Sequence, residues 1–139
     1  MPTLPWTTPA KTPTPTANGP ALVMASRFEL TTWRDVPAFL KAAVRIRRQM
    51  LGSPGVHGVS LIAQPLRRTF YTLSAWQDRD ALNRAVAGQP HASTMTRFHS
   101  KMTAAVFAFW EAPADGGIRP GWPEAHRRLA EVERREEVR

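Results

Sequence analysis

The sequence predicts an α+β domain in the order strand, helix, strand, strand, helix, strand, and three observations carry that expectation. Apolar and polar side chains alternate with a period of two over Ala21–Leu30 and again towards Trp76. Apolar residues recur at helical spacing over the segment ending at Leu51 and over the one starting at His91. Between them, from Thr69 to Met102, one hydrophobic layer changes its period near Trp76 from strand to helix, and the rest of the chain is organised around that junction.

In chain order, residues 1–20 hold six Pro and six Thr with little to bury, so this arm should be extended or mobile, with Leu4 and Trp6 as the groups able to dock. A first strand runs from Ala21 to Leu30. Asp35 is placed to accept from the free N–H groups of the helix that follows, and Pro37 fits its first turn. That helix ends at Leu51, with Gly52 as left-handed terminator and Pro54 beyond. Gly55–Gln64 and Arg68–Trp76 form a hairpin about Pro65-Leu66-Arg67. Asp78 caps a helix over Arg79–Ala87, Gly88-Gln89-Pro90 interrupts it, and a further stretch runs from His91 to Met102. Thr103–Trp110 is the last strand, ending at Glu111-Ala112-Pro113, and Asp115-Gly116-Gly117 marks a loop.

From Trp122 a helix follows with a thin stripe of Ala125, Leu129 and Val132, and in residues 122–139 five Arg balance five Glu, which reads as a surface appendage. The partition is therefore a 1–20 arm, a 21–112 domain and a 113–139 loop and charged helix. The element order is the ferredoxin-like βαββαβ, a four-stranded antiparallel sheet with both helices on one face. Neither face of the Arg68–Trp76 strand is charged, so the sheet needs a cover on both sides, and a second subunit is one source.

Composition removes several functions. The 139 residues contain no Cys, which excludes disulfides, thiolate catalysis and Cys-based metal centres. No run approaches the roughly 18 apolar residues of a membrane span. MPTLPWTTP lacks the basic and apolar regions of a signal peptide, so a cytoplasmic location is expected. The formal charge of +8 would draw anions, but its arginines are scattered and no RNA-recognition pattern appears, so neither nucleic acid nor membrane is an expected partner.

The candidate site residues cluster about the junction. His91 heads the row His91, Met95, Phe98, Met102; its imidazole titrates in the range of a general base, or its ring simply bonds a carbonyl at the helix start. Arg47 continues the row Leu40, Val44, Arg47, Leu51 at the edge of an apolar face, either with its head in water or as a cation aimed into a pocket. Ser74 and Trp76 share a strand face with Phe70, and Tyr71 lies on the other. His57, His91, His99 and His126 show no metal-ligand spacing.

The pattern Leu73-Ser74-Ala75-Trp76, then Asp78, Ala81-Leu82 and His91 with Met95 and Phe98, resembles the antibiotic biosynthesis monooxygenase branch of the dimeric α/β-barrel superfamily over about residues 21–112. The resemblance implies a homodimer whose sheets meet face to face, with a small-molecule pocket in each subunit between sheet and helices, and a place in secondary metabolism. It implies cofactor-independent oxidation, or isomerisation, of a small enolisable or phenolic molecule. His91 and Arg47 are then the catalytic residues, and Ser74, Trp76, Met95 and Phe98 the substrate-binding ones. Haem-degrading relatives carry a Trp near Ala85 and a ligand His near Met95, which this chain lacks. No cofactor is therefore expected, and a non-catalytic dimeric barrel that holds a small ligand, or haem through His91 or His99, is the alternative.

Overall fold

The structure, a computed structural model, describes residues 3–8, 20–113 and 120–137. The elements are β1 (Thr3–Thr7), β2 (Ala21–Leu30), α1 (Val36–Leu51), β3 (Val56–Gln64), β4 (Thr69–Trp76), α2 (Arg79–Ala87), α3 (His91–Phe98), β5 (Met102–Ala112) and α4 (Trp122–Glu137). The strands form one antiparallel sheet in the order β1-β3-β4-β2-β5. Four neighbouring strands, β3-β4-β2-β5, are the expected ferredoxin-like set, and β1 adds a fifth along the free edge of β3. Pro5 is tolerated there because an edge strand can leave one side of its backbone unpaired.

Strand register decides which side chains share a face. Phe109, Met24, Ser74 and Val59 lie on one rung across the sheet, and Phe107, Ser26, Thr72 and Leu61 on the next. This face is the one under α1, α2 and α3. Near one end Phe28, Phe39, Phe70 and Phe98 form an aromatic core, and near the other Trp76 packs with Met50, Val56, Ala81 and Leu82. The two cores leave a gap between them, and the gap is the site.

The opposite face is covered from within the chain. Ala125 and Leu129 of α4 are fully buried against Val23, Ala25, Leu73, Ala75, Val106 and Ala108. Arg27 Nε donates to Glu133 Oε1 at 2.7 Å, and Trp122 Nε1 donates to Ser60 Oγ at 3.1 Å. The reading of this helix as a surface appendage is thus corrected, because small residues on a thin stripe let the helix approach the sheet closely. On this face α4 supplies cover from within the chain. Tyr71 lies here too, its ring edge-on to His126 at 4.8 Å.

The described part of the arm takes the extended course, as β1, and its Trp6 docks. Trp6 packs against the α4-side core, and Ser60 Oγ donates to the Leu4 carbonyl at 2.9 Å. Gly58 makes room: a Cβ there would stand 2.4 Å from the Trp6 ring. The remainder of the arm, 9–19, and the Asp115-Gly116-Gly117 loop lie outside the described residues.

The helix ends differ in detail from expectation. Asp78 caps α2 as predicted, accepting from Ala81 N–H at 2.8 Å. Asp35 caps nothing: it accepts from Thr32 Oγ1 at 3.0 Å and pairs with Lys101. Gly52 ends α1 at φ −94°, and the left-handed turn falls three residues later at Gly55, φ +85°.

Candidate active site

The gap between the two cores is a cavity of about 450 Å³, within the range of small-molecule sites. Its floor is the two rungs of the sheet, with Ser26, Thr72 and Ser74 as hydroxyls among Met24, Leu61 and Phe70. Its roof comes from Ile46, Arg47 and Met50 of α1, Leu82, Asn83 and Val86 of α2, and His91 and Met95 of α3. Phe107 and Phe109 of β5, each about two-fifths exposed, stand at the rim with Arg79, whose guanidinium lies 4.5 Å from the Phe109 ring centre.

His91 is held from two sides. Its backbone N–H donates to Gln49 Oε1 at 2.9 Å, while Gln49 Nε2 donates to the Ala85 carbonyl at 2.9 Å, so one α1 side chain pins the break between α2 and α3. Its ring Nδ1 lies 3.1 Å from the Val86 carbonyl. A carbonyl only accepts, so Nδ1 carries the proton and Nε2 the lone pair. Burial pushes the imidazole below its ordinary 6.5, and the Val86 bond opposes this more weakly.

Both polar groups expected beside His91 are on the wall. Arg47 is partly buried and donates from Nη2 to Thr7 Oγ1 of β1 at 2.6 Å, while its Nε is buried without a partner. Ser74 accepts from Trp76 Nε1 at 2.9 Å, which leaves its own hydroxyl proton free to donate. Met95 lines the cavity as expected.

Trp76 and Phe98 do not, and their assignment as substrate-binding is corrected. Both are fully buried behind the wall, Trp76 beneath α2 and Phe98 in the aromatic core. Periodicity finds the face a side chain takes but not whether a helix sits over it. The sequence reading missed Gln49, Ser26 and Thr72, the last two hydrogen-bonded to each other across adjacent strands. Polar residues alternating into an otherwise apolar strand face were the available signal. His99 is exposed and away from the cavity, and no group of three or more possible metal ligands occurs among the described residues.

Comparison with known proteins places this architecture. The family profile described as "Domain of unknown function (DUF3291)" matches residues 43–137, which spans α1 to α4. The chain belongs to the DUF3291 family. No curated protein matches it. This DUF3291 chain is similar in structure to SnoaB, a cofactor-independent oxygenase from Streptomyces nogalater, at 16% identity and TM-score 0.55, over 75% of this chain and 98% of that one. It is similar to a candidate antibiotic biosynthesis monooxygenase from Nitrosomonas europaea at 14% identity and TM-score 0.63, over 73% and 98% of the two chains. A third, from Caulobacter crescentus and likewise described, is 13% identical at TM-score 0.59, over 68% and 92%. At these identities the likeness establishes the fold, and the chemistry has to be argued from the cavity.

What the DUF3291 cavity offers chemically is a largely apolar wall that carries an imidazole, hydroxyl donors, the Asn83 amide and one partly buried guanidinium, with Arg79 at the rim. A proton can be taken up at His91 Nε2, and a developing anion can be met by the Ser74 hydroxyl.

Proposed function

We propose that the cavity binds a small, largely apolar molecule bearing an enolisable or phenolic group and oxidises it with dioxygen, using no bound cofactor. The observation that carries this reading is His91, a neutral imidazole on the wall of an apolar cavity, with its tautomer set by Val86 so that Nε2 is the base. Deprotonation by Nε2 makes the substrate electron-rich enough to pass one electron to O₂. The substrate radical and superoxide combine at carbon, and the peroxide takes up a proton and loses water, so that CH₂ + O₂ becomes C=O + H₂O. Ser74, its oxygen already engaged by Trp76, donates to the substrate oxyanion. Arg47 supplies the positive charge on the α1 side of the same wall.

The monooxygenase-like names among the structural neighbours support the general kind of activity. Isomerisation needs the same proton abstraction without oxygen. Oxygen uptake and product formation, measured with hydroxynaphthalenes and cyclic 1,3-diketones, test the proposal. His91→Ala and His91→Gln are expected to lower turnover at least about 100-fold while circular dichroism stays that of the parent. Full activity in a folded His91→Ala protein removes His91 as the base and with it this mechanism, whereas a parent that binds these molecules without consuming oxygen is a non-catalytic ligand-binding protein.

A further inference from the structure

We propose that Arg47, clamped by Thr7 of the N-terminal strand, is an anion subsite, and that the molecule bound in the cavity carries a single carboxylate on its apolar body. The inference rests on the cavity being the ligand site, as above, but on neither His91 nor oxygen.

Among the described residues the cavity wall has no counter-ion of its own. Its ionisable side chains are Arg47, Arg79 and His91, and neither Asp nor Glu lines it. Arg79 is exposed at the rim and His91 is held neutral by burial, so Arg47 is the cation of the interior wall. Among the described residues it makes one hydrogen bond and no ion pair, and its Nε is buried without an acceptor. Of its nitrogens only Nε is both buried and unpartnered, and Nη2 has Thr7, so Nη1 and the second Nη2 N–H are the donors a ligand anion would meet.

A side chain that merely snorkelled would turn its head to water. This one is turned to Thr7, forty positions earlier in the chain. The direction of that bond is fixed, because the Thr7 hydroxyl donates to the Pro5 carbonyl at 3.0 Å and so accepts from Nη2. Thr7 is in turn fixed by the β1–β3 ladder, by Trp6 seated on Gly58 and by the Ser60–Leu4 bond. The arginine is therefore oriented before any ligand arrives, and Thr7 is a positioning residue for it. One planar guanidinium without a second interior cation suits a carboxylate, whereas a dianionic phosphate calls for more donors. Phe28, Phe70 and Met50 supply the apolar contact for the rest of the molecule.

The test is calorimetric titration at pH 7.5 with 2-naphthoate and 2-naphthamide, which share one ring system and differ in charge. The full chain is expected to bind the carboxylate about tenfold or more tightly than the amide. Arg47→Gln should abolish that preference with amide affinity unchanged, which also shows that the cavity is intact. Thr7→Val should lower carboxylate affinity about threefold to tenfold and spare the amide, and it decides the matter if Arg47→Gln does not fold. Equal affinity of the parent for both probes, a preference that survives in a folded Arg47→Gln protein, or an undiminished preference in a folded Thr7→Val protein overturns the proposal. His91→Gln should keep the preference, so a protein without oxygenase activity still passes or fails this test on its own.

Discussion

His91 illustrates how burial sets both chemistry and stability. Burial lowers its pKa from 6.5, so the neutral base persists to lower pH than in a free imidazole. The acid limb of kcat/KM, measured against pH, is expected below 6.5 accordingly. The same shift acts on folding: the unfolded ring takes up a proton first as pH falls, so the stability tied to the neutral ring is complete above 6.5 and is lost as pH drops through the folded value. His91→Gln should flatten that part of the curve of Tm against pH. Trp76 illustrates the limit of residue-level reading. Its place on the strand face with Ser74 was legible, but its role is to hold Ser74 from behind, because α2 buries the ring. Trp76→Phe should retain the fold, lose about 1 kcal/mol of stability in chemical denaturation, and weaken binding of substrate-like phenols.

At the level of elements, the strands and helices of the central domain were written in periodicity and caps, Asp78 among them. The terminal elements were not. β1 is short and Pro-containing, and what holds it is a ring seated on a glycine fifty-two positions away in sequence, Trp6 on Gly58, a contact that no local pattern announces. Gly58→Ala is expected to expel Trp6 and free β1, read as a red shift of tryptophan emission and faster proteolysis near the N-terminus. α4 was misjudged because its stripe is narrow and its charges balanced, whereas Leu129 is 2% exposed. Leu129→Ala should cost about 2–4 kcal/mol in chemical denaturation, far beyond the effect of trimming a surface helix. The candidate site was half legible for the same reason. His91, Arg47, Ser74 and Met95 follow from facing rows, while Gln49 and Thr7 act through contacts between elements distant in the chain.

Seen as a whole, the molecule is three layers, with α1–α3 on one side of the sheet and α4 on the other. The sheet face opposite the cavity is packed against α4. Ending the chain after Pro113 would bare Val23, Ala25, Leu73, Ala75, Val106 and Ala108, a contiguous apolar surface of the kind that promotes association. Light scattering is expected to show that shortened chain associating at concentrations where the parent's mass is unchanged. No helix of the described residues is long and apolar enough to cross a membrane.

The acceptor for Arg47 comes from a strand that precedes the family match, which begins only at residue 43. Discrimination between ligands is thereby lodged in an outlying ribbon, while the scaffold that does the folding lies elsewhere. On that proposal, sequences sharing this sheet and its helices but diverging before residue 20 can differ in appetite without altering a single helix, and grafting one such segment onto another's scaffold would transfer the taste along with it.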